Sequence, residues 1–200
     1  MDNDTKVILS LGELTIATDK NIILTKRAII EKAVALFGKQ VVFISNVFAV
    51  VLSRDAILAT SIPKIAKGEN YKGLPYVMMD YPATFTTNDI FAIRTMFWWG
   101  NFISITLHLK GVYKERYFEK ILATFTSDSS FYISISDKEW EHDVTTDNFQ
   151  KGVEVSPAVY NKLAKQNFIK IALKYELHQW NMMQSVLPDG YKKLAEIIIG

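Results

Sequence analysis

Apolar residues recur at two different periods along the chain, which puts helices at its two ends and strands in its middle. From about Lys20 to Phe37, Ile22, Ile29, Ala33 and Leu36 fall along one side of a helix, with Lys26, Arg27, Glu31 and Lys32 off that stripe. Asp19 is its N-cap and Gly38 a natural stop. Tyr113, Tyr117, Phe118, Ile121, Leu122 and Phe125 repeat at helical spacing and predict a helix over Val112–Thr126. Ser156-Pro157 supplies a cap and a first-turn proline for a helix ending at Lys165. A last helix starts at Asp189 and carries Leu194, Ile197 and Ile198, a tail docked on the core. The run Val41–Leu52 is β-branched without clean alternation, so its pattern fits a strand or a buried helix.

The strand signals cluster centrally. Pro75–Asp80 is a short run between prolines, Phe131–Ser136 alternates, and Phe168–Glu176 sets Ile169, Ile171, Leu173 and Tyr175 against Lys170, Lys174 and Glu176. Phe91–Trp99 and Phe102–Leu109 are long runs joined by Gly100-Asn101, which suits a tight hairpin turn. A rival reading makes Asp89–Trp99 a helix capped by Thr87 or Asp89; the hairpin is preferred. Ser61–Gly73 and Ser127–Ser130 read as connections. No repeat and no Ser/Gly linker divides the chain. The expectation is a single α+β domain over residues 1–200, with a central antiparallel sheet flanked by N-terminal and C-terminal helices.

Counting outward from Gly100-Asn101 fixes a hairpin register. One face then carries Trp98 with Ile103, Met96 with Ile105, Arg94 with Leu107 and Ala92 with Leu109, and should meet the core helices. The other carries Trp99 with Phe102, Phe97 with Ser104, Thr95 with Thr106, and Ile93 with His108. Apolar walls with a few polar groups describe a small-molecule pocket. By this count Arg94 and His108 point to opposite faces. They share a site only if the register slips by one residue.

Composition narrows the function classes more than it chooses among them. The charged residues nearly cancel, 23 Lys and Arg against 21 Asp and Glu, too weak a surplus to argue for nucleic acid or an acidic membrane. The absence of cysteine removes disulfide scaffolds, thiol catalysis, zinc ribbons and iron–sulfur clusters. Val41–Leu52 is too short to span a bilayer, which needs about 20 apolar residues. The N-terminus Met-Asp-Asn-Asp-Thr-Lys lacks the positive flank of a secretory signal. A cytoplasmic protein is expected.

Candidate chemistry is sparse. Phosphate-binding, dinucleotide and nucleophile-elbow motifs are missing, so no cofactor is expected. Glu141-His142-Asp143 reads as a solvated turn rather than a metal site, because adjacent residues rarely converge on one ion. Arg94, His108, Thr95, Thr106, Asp80 and Trp99 are the candidate ligand-binding residues. Arg94 needs a carboxylate or solvent, since an unpaired buried charge is costly. His108 titrates near neutrality and suits acid–base work. Asp80-Tyr81-Pro82 puts a carboxylate and a phenol at the end of a strand.

The stretch Tyr71-Lys-Gly-Leu-Pro-Tyr-Val-Met-Met-Asp-Tyr-Pro82, followed by Phe91-Ala-Ile-Arg-Thr-Met-Phe-Trp-Trp-Gly-Asn101, resembles a pattern in an uncharacterised bacterial protein family. The resemblance implies a bacterial protein and points to the Asp80, Arg94, Trp98 and Trp99 region; it implies no activity, substrate or cofactor. The leading expectation is a module that binds a small molecule or a protein partner through the sheet around residues 75–110. One alternative is an enzyme with His108 or Asp80 as acid or base and Arg94 holding an anionic substrate. The other is a self-associating structural protein, a homodimer joined by edge strands or the Ile-rich tail.

Overall fold

The computed structural model describes residues 7–152 and 154–199; the N-terminal stretch read against a secretory signal, residues 1–6, lies outside them. In chain order the elements are α1 (Leu11–Thr18), α2 (Lys20–Val47), α3 (Ala49–Arg54), α4 (Ala56–Ala59), β1 (Lys64–Tyr71), β2 (Leu74–Phe85), β3 (Ile90–Trp98) and β4 (Phe102–Lys110). There follow α5 (Val112–Ser127), β5 (Phe131–Ser134), β6 (Phe149–Lys151), α6 (Pro157–Lys165), β7 (Phe168–Glu176), a 3-10 turn at Leu177–Met182, and α7 (Met183–Ile199). The strands form one antiparallel sheet in the order β1-β2-β3-β4-β7-β5-β6, and the architecture is α+β.

Helices α2, α5 and α7 cover one face of this sheet. Helix α2 does not stop at Gly38. Ala33, Phe37, Gln40 and Ile44 continue a buried stripe past it, and that burial outweighs the ~1 kcal/mol a mid-helix glycine costs. Val41–Leu52 is therefore helical, shared between α2 and α3. Helix α7 begins at Met183, six residues before Asp189, with Pro188 inside it. A Cβ on Gly190 would lie 2.1 Å from the Tyr175 hydroxyl, so the missing side chain is what lets α7 lie this close to β7. Ile197 and Ile198 are buried, and the tail is docked on the core. Ser61–Gly73, read as a connection, contains the edge strand β1, none of whose residues is buried; Ile65 and Tyr71 are its half-buried large side chains. Asp80-Tyr81-Pro82 lies inside β2 rather than at a strand end, at an irregularity with a cis Tyr81-Pro82 bond.

The β3–β4 hairpin forms, with its register one residue from the count above. Its turn takes in Trp99 as well as Gly100 and Asn101: the Asn101 amide donates to the Trp98 carbonyl at 3.1 Å, and Gly100 has φ 72°. That is the position a type II turn reserves for glycine. Trp98 therefore pairs with Phe102, Met96 with Ser104, Arg94 with Thr106 and Ala92 with His108. A one-residue shift exchanges the faces of one strand against the other. The helix-covered face now carries Phe91, Ile93, Phe97, Ile103, Ile105, Leu107 and Leu109. Thr95 is on that side too, bonded at 2.7 Å to the hydroxyl of the buried Tyr191 of α7.

Candidate functional site

The opposite face of the sheet is apolar near the hairpin turn and polar beyond it. Met96, Trp98, Phe102 and Ala172 pack with Val144 and Phe149 in the apolar half. Farther along, β2 presents Asp80, β3 Arg94, β4 Thr106 and His108, and β7 Lys170. Residues 135–148, between β5 and β6, fold over this polar half as a cover. Glu141-His142-Asp143 lies in the cover and is at least half-buried, so the solvated-turn reading fails. Its burial comes from strands about 30 to 70 residues away in the chain, which local sequence cannot signal.

Arg94 and Asp80 form a two-pronged ion pair, Nε to Oδ1 at 2.7 Å and Nη2 to Oδ2 at 2.9 Å. Arg94 Nη1 lies 3.1 Å from His142 Nε2. A guanidinium only donates, so this nitrogen accepts and carries no proton. The guanidinium also lies within 6 Å of the Phe85 and Trp140 rings. Lys170, 1% exposed, donates to the Glu139 carbonyl at 2.7 Å and to the Glu141 carbonyl, tying the cover to β7. From the β1–β2 turn, Lys72 reaches Glu141 and Asp143, each at 3.1 Å. Tyr71 donates to Glu141 and accepts from the His142 amide. His108 Nε2 faces Glu139 Oε1 at 3.2 Å, but neither atom has a hydrogen-bond partner among the described residues.

Burial, then the cations Lys170 and Arg94, hold the pKa of His108 and of His142 down to about 2, so both rings are neutral at pH 7. Burial and Arg94 lower Lys170 to about 7, against the pull of Glu141 and Glu139. Burial pushes Glu141 up, but Tyr71, the Asp143 amide and Lys72 together hold its carboxyl below the usual range. Arg94, Lys72, Lys110 and Lys170 face Asp80, Glu139, Glu141 and Asp143. The charges match within the cluster, and no uncompensated cation waits for an anion.

An open cavity lies at the turn end of the other face. It measures about 310 Å³ and is lined by Ile29 and Lys32 of α2, Phe97 of β3, Trp99 and Gly100 of the turn, and Leu177 and Trp180. Trp99 and Trp180 both stand edge-on to Phe97, with ring centroids at 6.1 and 5.7 Å. Exposed Lys32 makes no hydrogen bond or ion pair among the described residues.

The structure thus divides the sequence candidates. Asp80, Arg94, Thr106 and His108 share the polar face, and the obstacle to Arg94 and His108 meeting is gone. Thr95 faces the helices and Trp99 lines the cavity, so neither joins them. Sequence reading missed Lys170 and Glu139, and set Glu141 and His142 aside as a solvated turn. Alternation along β7 did place Lys170 on the polar side; the missing information was the cover above it. Trp180 and Lys32 were missed because they reach Trp99 only through tertiary packing. Among the described residues no group of three His, Asp or Glu side chains is placed to hold a metal ion, and no helix is long and apolar enough to cross a membrane. Comparison with protein-family models, curated proteins and solved structures finds no match to this chain.

Proposed function

We propose that the protein is a binding module whose site is the cavity at the β3–β4 turn, and that its ligand is a small molecule with a flat apolar body and an acidic group. The observation that carries this reading is the pair of half-buried tryptophans, Trp99 and Trp180, set edge-on to Phe97 beside the unpaired Lys32. Flat apolar surface stacks between such walls, and a nearby ammonium selects a carboxylate over a neutral analogue. A cavity of this size sits at the lower end of ligand sites, which run from roughly 300 to 1,000 Å³.

The four tryptophans supply the test, because Trp98 and Trp140 lie on the opposite face. In a titration with 2-naphthoate, the indole N–H resonances of Trp99 and Trp180 should move while those of Trp98 and Trp140 hold still. Lys32→Ala should weaken 2-naphthoate and leave 2-naphthamide unchanged. Resonances of Trp99 and Trp180 that stay fixed at millimolar 2-naphthoate defeat the reading.

The enzyme alternative is supported by the register, which brings Arg94, His108 and Asp80 to one face. Against it stand the committed donors of Arg94, the matched charges and the cover. Turnover of an anionic substrate lost in Arg94→Lys, in a protein whose fold is retained, would favour it over simple binding.

A further inference from the structure

From Val7 to Thr25 every residue except Asp19 is exposed, and α1 buries nothing. This segment is not polar. Leu11, Leu14, Ile16, Ile22, Ile23 and Leu24 are between 42% and 85% exposed, and Val7–Leu9 adds three more apolar side chains. An eight-residue helix is well short of the ~12–15 residues at which even good helix formers become marginal alone in water. Its sequence, LGELTIAT, is apolar on more than one side, the mark of a helix enclosed by other protein. Among the described residues nothing buries it.

We propose that residues 7–25 form the interface between two copies of this chain, α1 of one copy lying antiparallel along the start of α2 of the other. Two observations choose a second copy. The first is area: at about 100 Å² of apolar surface for each well-exposed Leu, Ile or Val, the segment matches the ~800 Å² that each partner contributes to a standard interface. The second is charge. Between Val7 and Asp19 the segment carries Glu13 and Asp19 and no base, whereas α2 from Lys20 to Lys32 carries Lys20, Lys26, Arg27 and Lys32. Lys26 is paired with Glu69 and Arg27 with Glu31, which leaves Lys20 and Lys32 without an ion pair among the described residues. An antiparallel crossing sets the acids of each copy against the bases of the other twice over, as two-fold symmetry requires. An acidic, apolar arm is also poorly suited to an anionic membrane. The contact differs from the dimer expected from the sequence, because the Ile-rich tail is buried in its own core.

Sedimentation velocity on the full chain across a concentration series, with light scattering for mass, tests the proposal. The expected result is a dimer that dissociates on dilution. Leu11→Glu with Leu14→Glu should raise its dissociation constant by roughly tenfold or more. The urea midpoint of the dissociated protein should be unchanged, because both side chains are exposed and α1 buries no residue. A concentration-independent monomer overturns the proposal, and so does a dimer that the double variant leaves intact. Flotation of a monomeric protein with phosphatidylcholine vesicles also overturns it, assigning the segment to lipid.

Discussion

The two faces of one sheet are closed in opposite ways. Under α2, α5 and α7 the side chains of β3 and β4 are apolar except for Thr95, whose hydroxyl is satisfied by Tyr191. Under residues 135–148 the same two strands present Arg94, Thr106 and His108, and Arg94 is held by Asp80 and His142 with defined geometry. Apolar burial is non-directional and tolerates small shifts of a helix. A buried ionic network is all or nothing, because each member left unpaired carries its full desolvation cost. The helix side can therefore yield by degrees, whereas the cover side holds together or comes apart.

The sharpest way to break this contrast is to remove one partner on the polar side. Arg94→Ala strands Asp80 and deprives His142 of its donor, and should cost about 3–5 kcal/mol in urea unfolding. The double variant Arg94→Met, Asp80→Leu should recover most of that loss. Equal losses in the single and double variants would mean that packing, and not pairing, holds the cover.

Acid gives an effect of comparable size. His108 and His142 are neutral when folded, with pKa near 2 against 6.5 in the unfolded chain, so the unfolded state takes up protons first as pH falls. Stability should drop below about pH 6.5 by up to about 1.4 kcal/mol per pH unit for each ring. His108→Phe should halve the slope between pH 6 and pH 4, referred to wild type, on the order of one proton fewer. Lys170 works in a separate window: its value near 7 against 10.5 unfolded means that the stability it withholds returns as pH rises from 7 toward 10.5. The smallest effect belongs to the helix side. Tyr191→Phe removes one buried hydrogen bond and should cost about 1–2 kcal/mol, with the same loss at pH 7 and at pH 5.

The helix side was also the legible one. The periodicity of Val112–Thr126, the cap at Ser156-Pro157 and the alternation of Phe168–Glu176 each reappear within a residue as α5, α6 and β7. There the burying partner is generic and any apolar layer will serve, so local pattern finds the elements, although it ended α2 at Gly38 and started α7 at Asp189. The polar side failed at two points that local pattern does not encode. One is the length of the turn: counting Trp99 into it or out of it decides whether Arg94 and His108 meet. The other is the cover, where Glu141, His142 and Asp143 look like solvent residues until Tyr71, Lys72 and Lys170 are brought to them from distant strands. The edge strand β1 was hidden for a different reason, since its half-buried Ile65 and Tyr71 stand six residues apart across a register irregularity and leave no alternating apolar row.

The sheet order has a consequence for synthesis on the ribosome. Strands β1 to β4 are neighbours in both chain and space, so a nascent chain can close that meander once Lys110 has emerged. Strand β5 pairs with β7 and with β6 and never with β4, and β7 is made later than both. Until Glu176 is out, β5 and β6 have no sheet to join, and Phe131 and Ile133, both buried in the finished fold, stay in water. Exposed apolar strands of this kind recruit chaperones and invite misassembly. The interval between translation of Phe131 and of Glu176 is when the growing chain most needs protection.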